Sequence, residues 1–350
     1  MIHLANLDRP VLVTGCAGFI GFHLTKRLLI DGIPVFGLDN LNNYYDVSLK
    51  NARLKILQEF TSFRFQKQDL IDNDALEKLF LKERFPVVVH LAAQPGVRYS
   101  DKNPRAYLDS NLVGFFNILD VSQRFKVSHF VYASSSSVYG LSTRLPFSEH
   151  DQADHPVSLY AASKKANELL VHSYSHRFGM PSTGLRFFIA YGSWYRPDMA
   201  LFKFSRAILT GEPITLHNNG KMQRDYIYID DLVEGILALL IRPPAPNREW
   251  SGNHPDPATS SAPYRVYNIG AGHPVEMSYV LKLLEENIGK KAVVELVSMH
   301  PSEVQNTCAD ITDFTRDTGY QPKVPIEEGI KLFLEWFLDY DGSGRTIPTA

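Results

Sequence analysis

Short apolar runs alternate with longer stretches of helical periodicity along the first half of the chain. The runs VLVTG, VFGLD, FRFQ, VVVHLA and HFVYAS are rich in β-branched and aromatic residues and predict strands over 11–15, 35–39, 63–66, 87–92 and 129–134. Between them, apolar residues recur at helical spacing over 19–32, 72–85 and 104–125. Strands that alternate with helices in this way are typical of an α/β fold, and we predict a doubly wound parallel sheet.

The regular alternation becomes looser in the second half, which predicts a second structural unit. We expect a first domain over 1–180 and a smaller C-terminal α/β lobe over 181–340. The apolar run VYNIGAG at 266–272 predicts a strand that returns to the first sheet, so the two units are interleaved in sequence. Residues 242–263 contain six prolines and predict a surface insertion, and 341–350 have the composition of a frayed tail.

Composition narrows the classes of partner. The 350 residues are 44% hydrophobic and carry a formal net charge of −2, which gives no basic surface for nucleic acid. No apolar run reaches the roughly 20 residues that span a bilayer, so we expect no membrane partner. The first strand begins too close to Met1 for a signal peptide, and Cys16 and Cys308 do not suggest a disulfide framework. We expect a cytoplasmic protein and no metal site.

Three glycines follow the first predicted strand directly. In TGCAGFIG, Gly15, Gly18 and Gly21 stand three residues apart where a strand turns into an amphipathic helix. Such a turn lets backbone N–H groups and the helix N-terminus approach a pyrophosphate, as in the Rossmann dinucleotide-binding fold. A glycine turn needed only for close packing is the alternative.

Polar and small residues at the ends of the next strands extend this prediction. Asp39 ends the second strand and is followed by Asn40; a carboxylate there accepts hydrogen bonds from a ribose and repels a 2′-phosphate, which favours NAD over NADP. Asp69 follows the third strand and is a candidate for the adenine edge, or else a helix N-cap. Ala92 and Ala93 after the fourth strand let a cofactor lie close to the sheet, although small residues are also ordinary packing.

Tyr160 and Lys164 form a candidate catalytic pair. Four residues apart in SLYAASKKANELL, they project from one face of a predicted helix. A tyrosine titrates near ~10 when free, and a neighbouring ammonium together with an oxidised nicotinamide lowers its pKa toward a value useful for proton abstraction. Because such spacing also occurs by chance on many helices, the pair indicates an oxidoreductive step with a bound NAD only in combination with the preceding glycine turn and the serine cluster at 134–137.

The motifs TGCAGFIG, YASSSSVYG and YAASK together resemble those of the extended short-chain dehydrogenases/reductases. Within that superfamily the chain is most similar to UDP-glucuronate 4-epimerases of the capsular-polysaccharide type. The similarity rests on DNLNNYYDVSLK, HLAAQPGVRYS, GLRFF, RPDMALFKF and GKMQRDYIYIDDLVEGI, and it covers essentially all 350 residues.

The resemblance implies a mechanism. Ser135, four residues before Tyr139, hydrogen-bonds the sugar's 4-oxygen and helps to pass its proton to Tyr160. Hydride leaves C4 for a tightly bound NAD, giving a 4-keto sugar that turns over in the site. Hydride then returns to the opposite face, so C4 is inverted and NAD is recycled. UDP-glucuronate would become UDP-galacturonate for cell-surface polysaccharide.

The resemblance also implies a set of binding residues. The implied cofactor contacts are Gly15, Gly18, Phe19, Ile20, Gly21, Asp39, Asn40, Asp69, Leu70, Leu91, Ala92, Ala93, Asn111, Tyr160 and Lys164. The implied substrate contacts are Arg98, Ser135, Ser136, Ser137, Tyr160, Ile189, Arg196, His217, Arg224 and Glu303. Arg224 matches a pyrophosphate clamp, with a surface ion pair to Asp225 or Asp230 as the alternative. A plain polar helix position is the alternative for Asn111.

The residues at positions 136 and 137 distinguish an epimerase from similar enzymes that catalyse decarboxylation or dehydration. Similar decarboxylases place an acid two residues before the tyrosine of VYG, and dehydratases add an aspartate just ahead of it. Here both positions are serines, whose hydroxyls donate to a substrate carboxylate and supply no acid or base for chemistry at C5. We therefore predict epimerisation; capping of the strand end by these serines is the alternative.

Because the chain departs from the epimerase pattern at four positions, the sequence does not determine which UDP-sugar is the substrate. Ile189 replaces a threonine, Tyr195 replaces a small residue, His217 stands for the uracil-stacking aromatic, and Glu303 replaces aspartate. The alternatives are a 4-epimerase of UDP-glucose or UDP-N-acetylglucosamine and a UDP-glucuronate decarboxylase. A different class, a catalytically silent NAD-binding sensor, is disfavoured because Ser135 and the Tyr-Lys pair are all present.

Apolar residues on more than one helix face suggest self-association. Phe115, Phe116 and Leu119 in 104–125, and Leu169 and Leu170 in 156–178, cover more than one side of their helices. The resemblance implies a homodimer through a four-helix interface built from this pair of helices. Buried core packing would produce the same pattern.

Overall fold

Strands and helices alternate along the chain as the apolar pattern predicts. The computed structural model describes residues 7, 9–298 and 304–342; Glu303 and residues 343–350 of the predicted tail lie outside the described residues. The strands are β1 Val11–Thr14, β2 Val35–Asp39, β3 Phe63–Lys67, β4 Val87–His90, β5 His129–Ser135, β6 Ser182–Phe187, β7 Ile189–Tyr191, β8 Pro213–His217, β9 Gln223–Tyr228, β10 Tyr264–Ile269, β11 Pro274–Glu276 and β12 Val293–Val297.

The helices lie between these strands and after the last of them. They are α1 Phe19–Ile30, α2 Val47–Leu57, α3 Asn73–Glu83, α4 Tyr99–Lys102, α5 Pro104–Tyr107, α6 Phe115–Arg124, α7 Leu159–Phe178, α8 Ala200–Thr210, α9 Ile229–Leu240, α10 Met277–Ile288, α11 Thr312–Thr318 and α12 Ile326–Gly342. Within the described chain, no helix is long and apolar enough to cross a bilayer.

Seven strands form one parallel sheet in the order β3-β2-β1-β4-β5-β6-β10. The chain runs outward from β1 in both directions, so the connections diverge between β1 and β4 and open a crevice at the carboxyl ends of the strands. Residues Val11 and Val13 face one apolar core and Leu12 faces the other, because helices cover both faces of the sheet. The predicted doubly wound α/β class is confirmed.

β10 lies at the edge of this sheet, where Tyr264 pairs with Ser182 of β6. The second lobe adds a three-stranded sheet, β11-β9-β7, and a parallel pair of β8 and β12. Residues 242–263 connect α9 to β10 without helix or ladder strand; a bridge joins Ser251 and His254.

The helix predicted over 104–125 is present from Pro104 to Arg124, but its middle is π-helical. The structure has α5, a π-helical stretch over Leu108–Gly114, and then α6. Asn111 lies within the widened turn and is buried; its side chain bonds to the backbone of Gln94 rather than to solvent. Helical periodicity alone does not reveal a π-turn, because the apolar spacing on either side is unchanged.

Candidate active site

A cavity of about 1410 Å³ opens at the carboxyl ends of the parallel strands and extends between the two lobes. Most of the predicted site residues share its wall. They are Gly15, Gly18, Phe19, Ile20, Gly21, Asp39, Asn40, Asp69, Leu70, Leu91, Ala92, Ala93, Arg98, Ser135, Ser136, Ser137, Tyr160, Lys164, Ile189, Arg196, His217 and Arg224. The fold therefore gathers residues from both halves of the chain around one space.

The glycine turn joins β1 to α1 and forms one end of the cavity. Gly15 has φ +73°, and a Cβ there would lie 2.8 Å from the Ala92 backbone nitrogen; a Cβ at Gly21 would overlap the Gly15 carbonyl oxygen. Gly18 is the N-cap of α1. The packing explanation thus holds for Gly15 and Gly21, and the same close packing leaves the start of α1 open to the cavity, as a pyrophosphate requires.

Asp39 lies beside this turn and is itself buried. Its carboxylate accepts hydrogen bonds from Ala17 N at 3.2 Å and Leu41 N at 2.8 Å. Lys50, which the sequence interpretation missed, places Nζ 3.8 Å from Asp39 Oδ1 and 3.0 Å from Asn42 Oδ1. Its only sequence signal is its place in the stretch DNLNNYYDVSLK, since ten residues, among them the start of α2, lie between it and Asp39.

Asp69 and Asn40 meet across the ends of β2 and β3. Asn40 Nδ2 donates to Asp69 Oδ2 at 2.8 Å, and Asp69 Oδ1 accepts from Ile71 N at 3.1 Å. The N-cap of α3 is Asp72, whose side chain accepts from Ala75 N. The N-cap alternative for Asp69 is therefore wrong, and this carboxylate lies at the cavity wall.

Tyr160 and Lys164 lie in the first turns of α7 and line the cavity; Lys164 is buried, and Tyr160 is half-buried. Lys164 Nζ donates to the Ala133 carbonyl of β5 at 2.9 Å, which holds α7 against the end of that strand. Burial lowers the pKa of Lys164 to about 8. Burial raises the pKa of Tyr160, while a hydrogen bond to Ser135 and the charge of Arg196 oppose that rise. The protein groups alone therefore leave the phenol protonated at neutral pH, and a further positive charge is needed to make it a base.

The four serines occupy different positions at the end of β5. Ser135 Oγ accepts from Ser137 N at 3.1 Å, so Ser135 caps the short 3₁₀ turn over 136–139. Ser136 and Ser137 line the cavity within that turn. Ser134 points the other way, and its hydroxyl donates to Glu168 Oε1 at 2.6 Å.

Behind the serines lies a buried ion pair that the sequence interpretation missed. Glu168 on α7 accepts two hydrogen bonds of 2.9 Å from Arg186 on β6. The Arg186 guanidinium lies 4.9 Å from the ring centre of Tyr139, whose hydroxyl donates to Asn268 Oδ1 at 2.7 Å. Through its hydrogen bond to Glu168, Ser134 attaches the end of β5 to this network.

Asn111 is buried and is not among the residues that line the cavity, and its assignment as a cofactor contact stays a prediction. Its Oδ1 accepts from Gln94 N at 2.7 Å, and its Nδ2 donates to Gln94 O and Ser163 Oγ at 3.1 Å each. Ser163 precedes Lys164 on α7. The π-turn thus places Asn111 where it connects the loop after β4 to the catalytic helix.

Two arginines line the cavity. Arg196 donates to Asp198 from Nε at 3.0 Å and from Nη2 at 2.6 Å, and that charge pair lies in the wall. Arg224 Nη1 donates to the carbonyls of Gln223 and Gln305 at 2.9 Å each. The Asp225 carboxylate, an expected alternative partner of Arg224, accepts backbone N–H groups of Ala271, Gly272 and Ala309.

The residues that depart from the epimerase pattern lie at different depths. Ile189 begins β7 and presents an aliphatic side chain to the cavity. Tyr195 is 1% exposed, with its ring 5.0 Å from Phe19 and 6.0 Å from Phe333, so it fills space between α1 and α12. His217 ends β8, and its Nδ1 lies 3.2 Å from Ser298 O.

Comparison with known proteins places this geometry in a family. Residues 11–270 match the NAD dependent epimerase/dehydratase family. Protein CapI of Staphylococcus aureus is 50% identical over 330 residues, 94% of this chain and 98% of that protein. A probable UDP-glucuronate 4-epimerase of Rhizobium meliloti is 45% identical over 340 residues, 97% of this chain and 99% of that protein.

Solved structures give the same result. The Bacillus cereus UDP-glucuronic acid 4-epimerase, in complex with UDP-glucuronic acid and NAD, matches with a TM-score of 0.83 and 32% identity, over 94% of this chain and 99% of that one. The Thermotoga maritima UDP-glucose 4-epimerase with UDP-glucose has a TM-score of 0.80 and 28% identity, over 94% and 99%. The predicted resemblance is confirmed: the chain belongs to the NAD dependent epimerase/dehydratase family.

Proposed function

We propose that this chain is an NAD-dependent UDP-glucuronate 4-epimerase that interconverts UDP-glucuronate and UDP-galacturonate through a 4-keto sugar. The observation that carries the proposal is the meeting of Ser135, Tyr160 and Lys164 in the wall of a cavity that Arg196 and Arg224 also line. Relatives at 44–45% identity carry the name UDP-glucuronate 4-epimerase.

The glycine-turn end of the cavity fits NAD. A side chain at Gly15 or Gly21 would collide with the backbone, so the start of α1 stays bare for a pyrophosphate. Asp39 and Lys50 would hold the adenosine ribose, and Asn40 with Asp69 would face the adenine. NAD supplies the hydride acceptor when it is bound, and its nicotinamide adds the positive charge that Tyr160 lacks here.

Tyr160 and Ser135 would handle the proton of the sugar's 4-hydroxyl. Ser135 orients the 4-oxygen and shares its hydrogen bond with the phenol, so that the proton passes to Tyr160 when C4 is oxidised and returns when C4 is reduced. Lys164, fixed by Ala133, keeps a cation beneath the phenol. The same three residues therefore serve both directions.

Serine at positions 136 and 137 favours epimerisation over decarboxylation. Both lie in the cavity wall, in the turn that follows the catalytic strand. Hydroxyls there would donate to the sugar carboxylate, and Arg196 would add a charge-assisted contact. Held on several sides, the carboxylate of a 4-keto sugar stays in an orientation that resists loss of carbon dioxide.

A second candidate, a 4-epimerase of a neutral UDP-hexose, is favoured by Ile189. Its aliphatic side chain lines the cavity where a hydroxyl would assist a carboxylate. The purified protein, incubated separately with UDP-glucuronate and UDP-glucose, distinguishes the candidates by mass spectrometry and chromatography. We expect an isobaric product from UDP-glucuronate in both directions. A product lighter by carbon dioxide, or turnover of UDP-glucose alone, would overturn the proposal.

We also propose a homodimer built on α6 and α7. Phe115 and Leu119 are buried core, whereas Phe116 is 42% and Leu169 63% exposed, next to other exposed apolar side chains. Four helices, two from each copy, would cover this face. Light scattering should give a mass of two chains for the wild-type protein and of one chain for the Leu169→Asp variant. A wild-type protein with the mass of one chain would contradict the proposed interface. A cytoplasmic location stays a prediction.

A further inference from the structure

The segment between β2 and the middle of α2 connects the two lobes around the cavity. Arg53 is buried and donates from Nη1 to the Ala17 carbonyl of the glycine turn at 2.8 Å and from Nη2 to the Trp194 carbonyl at 2.5 Å. Nine residues earlier, the Tyr44 hydroxyl donates to Asp198 Oδ2 at 3.2 Å. One segment of the first domain therefore contacts both the cofactor end and the loop that carries Arg196.

Asp198 determines how Arg196 is oriented. The carboxylate occupies the Nε and Nη2 positions of the guanidinium, at 3.0 and 2.6 Å, and thereby fixes the plane of the group. Both side chains are 19% exposed and lie at the cavity wall. Because Tyr44 bonds the same carboxylate from the opposite lobe, the orientation of Arg196 depends on a residue of the first domain.

Tyr44 is itself held in place by close packing. Its ring centre lies 4.9 Å from that of Tyr99. Gly96 has φ +98°, and a Cβ there would lie 2.6 Å from the Tyr44 hydroxyl, so only glycine fits beside it. Tyr107 continues the series, 6.3 Å from Tyr99 and 6.1 Å from Tyr160. Aromatic contacts thus run from Tyr44 to the catalytic tyrosine.

We propose that Tyr44 and Asp198 are positioning residues that fix Arg196 for the acidic group of the sugar and so set a preference for acidic over neutral sugars. This inference rests on the proposed UDP-glucuronate activity. An oriented guanidinium recognises a carboxylate through paired N–H donors, whereas a neutral hydroxymethyl group gains little from that orientation. The ring series keeps the acid-binding group and the base at a constant separation.

The test is Tyr44→Phe, which removes one hydroxyl and keeps the ring. We expect kcat/KM for UDP-glucuronate to fall about five- to tenfold, because one hydrogen bond to a charged group is lost. The inhibition constant of UDP, which has no sugar, stays unchanged. The matched control is Tyr279→Phe, whose hydroxyl donates to Glu327 on the surface at 2.7 Å, and which changes neither value.

Asp198→Asn completes a double-mutant cycle. If Tyr44 acts through Asp198, the double variant loses no more UDP-glucuronate activity than Asp198→Asn alone. Additive losses, equal losses for UDP-glucuronate and UDP, or a Tyr44→Phe variant that behaves like the control would each overturn the inference. Wild-type protein with no epimerised product would instead refute the proposed function, and the ratio of dissociation constants for UDP-glucuronate and UDP would still test the role of Tyr44.

Discussion

The side of the cavity formed by β5 and α7, named the catalytic wall for its proposed role, differs in construction from the outer wall. The outer wall is formed by β8, whose partner strand β12 contributes no residue to the cavity lining. In the catalytic wall, Ser134, Lys164 and Glu168 are each at most 3% exposed and each has a hydrogen-bond partner. In β12, Val293 and Leu296 are 54% and 61% exposed. Proton transfer needs groups held at fixed distances, whereas contact with a flat nucleotide base needs only a surface.

The largest effect is expected from removing the proposed proton acceptor of the catalytic wall, Tyr160. Tyr160→Phe should lower kcat roughly a thousandfold, because the acid–base group is lost, while UDP still binds. Tyr267→Phe, which loses a hydrogen bond to Asp317 outside the cavity, is the control and should keep full activity. Comparable turnover by Tyr160→Phe in a steady-state assay would refute the assignment of the base.

The next effect is on stability. Arg186→Met leaves the buried Glu168 carboxylate with the Ser134 hydroxyl at 2.6 Å and, as a cation, Lys165 Nζ at 3.6 Å, so the unfolding free energy should fall by about 3 kcal/mol. Arg316→Met is the control, since that side chain is 60% exposed and its ion pairs should contribute less than about 1 kcal/mol. Similar urea midpoints for the two variants would show that the network behind the serines is not a special support.

A pH effect should follow from Glu149, which is 1% exposed and accepts from Asn268 Nδ2 at 3.0 Å. Burial raises the pKa of Glu149 to about 7 from 4.5. Between these values the unfolded chain releases the proton and the folded chain retains it, so stability falls as pH rises, by on the order of 3 kcal/mol. Glu149→Gln should flatten this decline in denaturant titrations; an unchanged slope would contradict the shift.

The smallest effect is expected at the outer wall. His217→Ala should raise KM for the UDP-sugar roughly fivefold, about 1 kcal/mol of stacking, and leave kcat unchanged. His217→Phe keeps a flat ring and should restore KM. A fall in kcat, or no rescue by phenylalanine, would show that this wall also takes part in the chemical step.

The sequence alone predicted those features of the fold and the site that depend on residues close together in the chain. The glycine turn, Asp39, and the Tyr160–Lys164 pair depend on spacing within one strand end or helix face, and the sheet follows from the alternation of apolar runs. Glu168–Arg186 and Tyr44–Asp198 join residues 18 and 154 positions apart, and neither forms a pattern that a single sequence reveals. The missed supports are therefore those that tertiary packing creates.

One measurement tests the central claim most directly: the fate of deuterium placed at C4 of UDP-glucuronate. If Tyr160 moves only the hydroxyl proton and the hydride returns to the carbon it left, UDP-galacturonate forms with the deuterium retained at C4, even in ordinary water. Loss of the label to solvent, or a pentose product that lacks the carboxylate, would contradict the account.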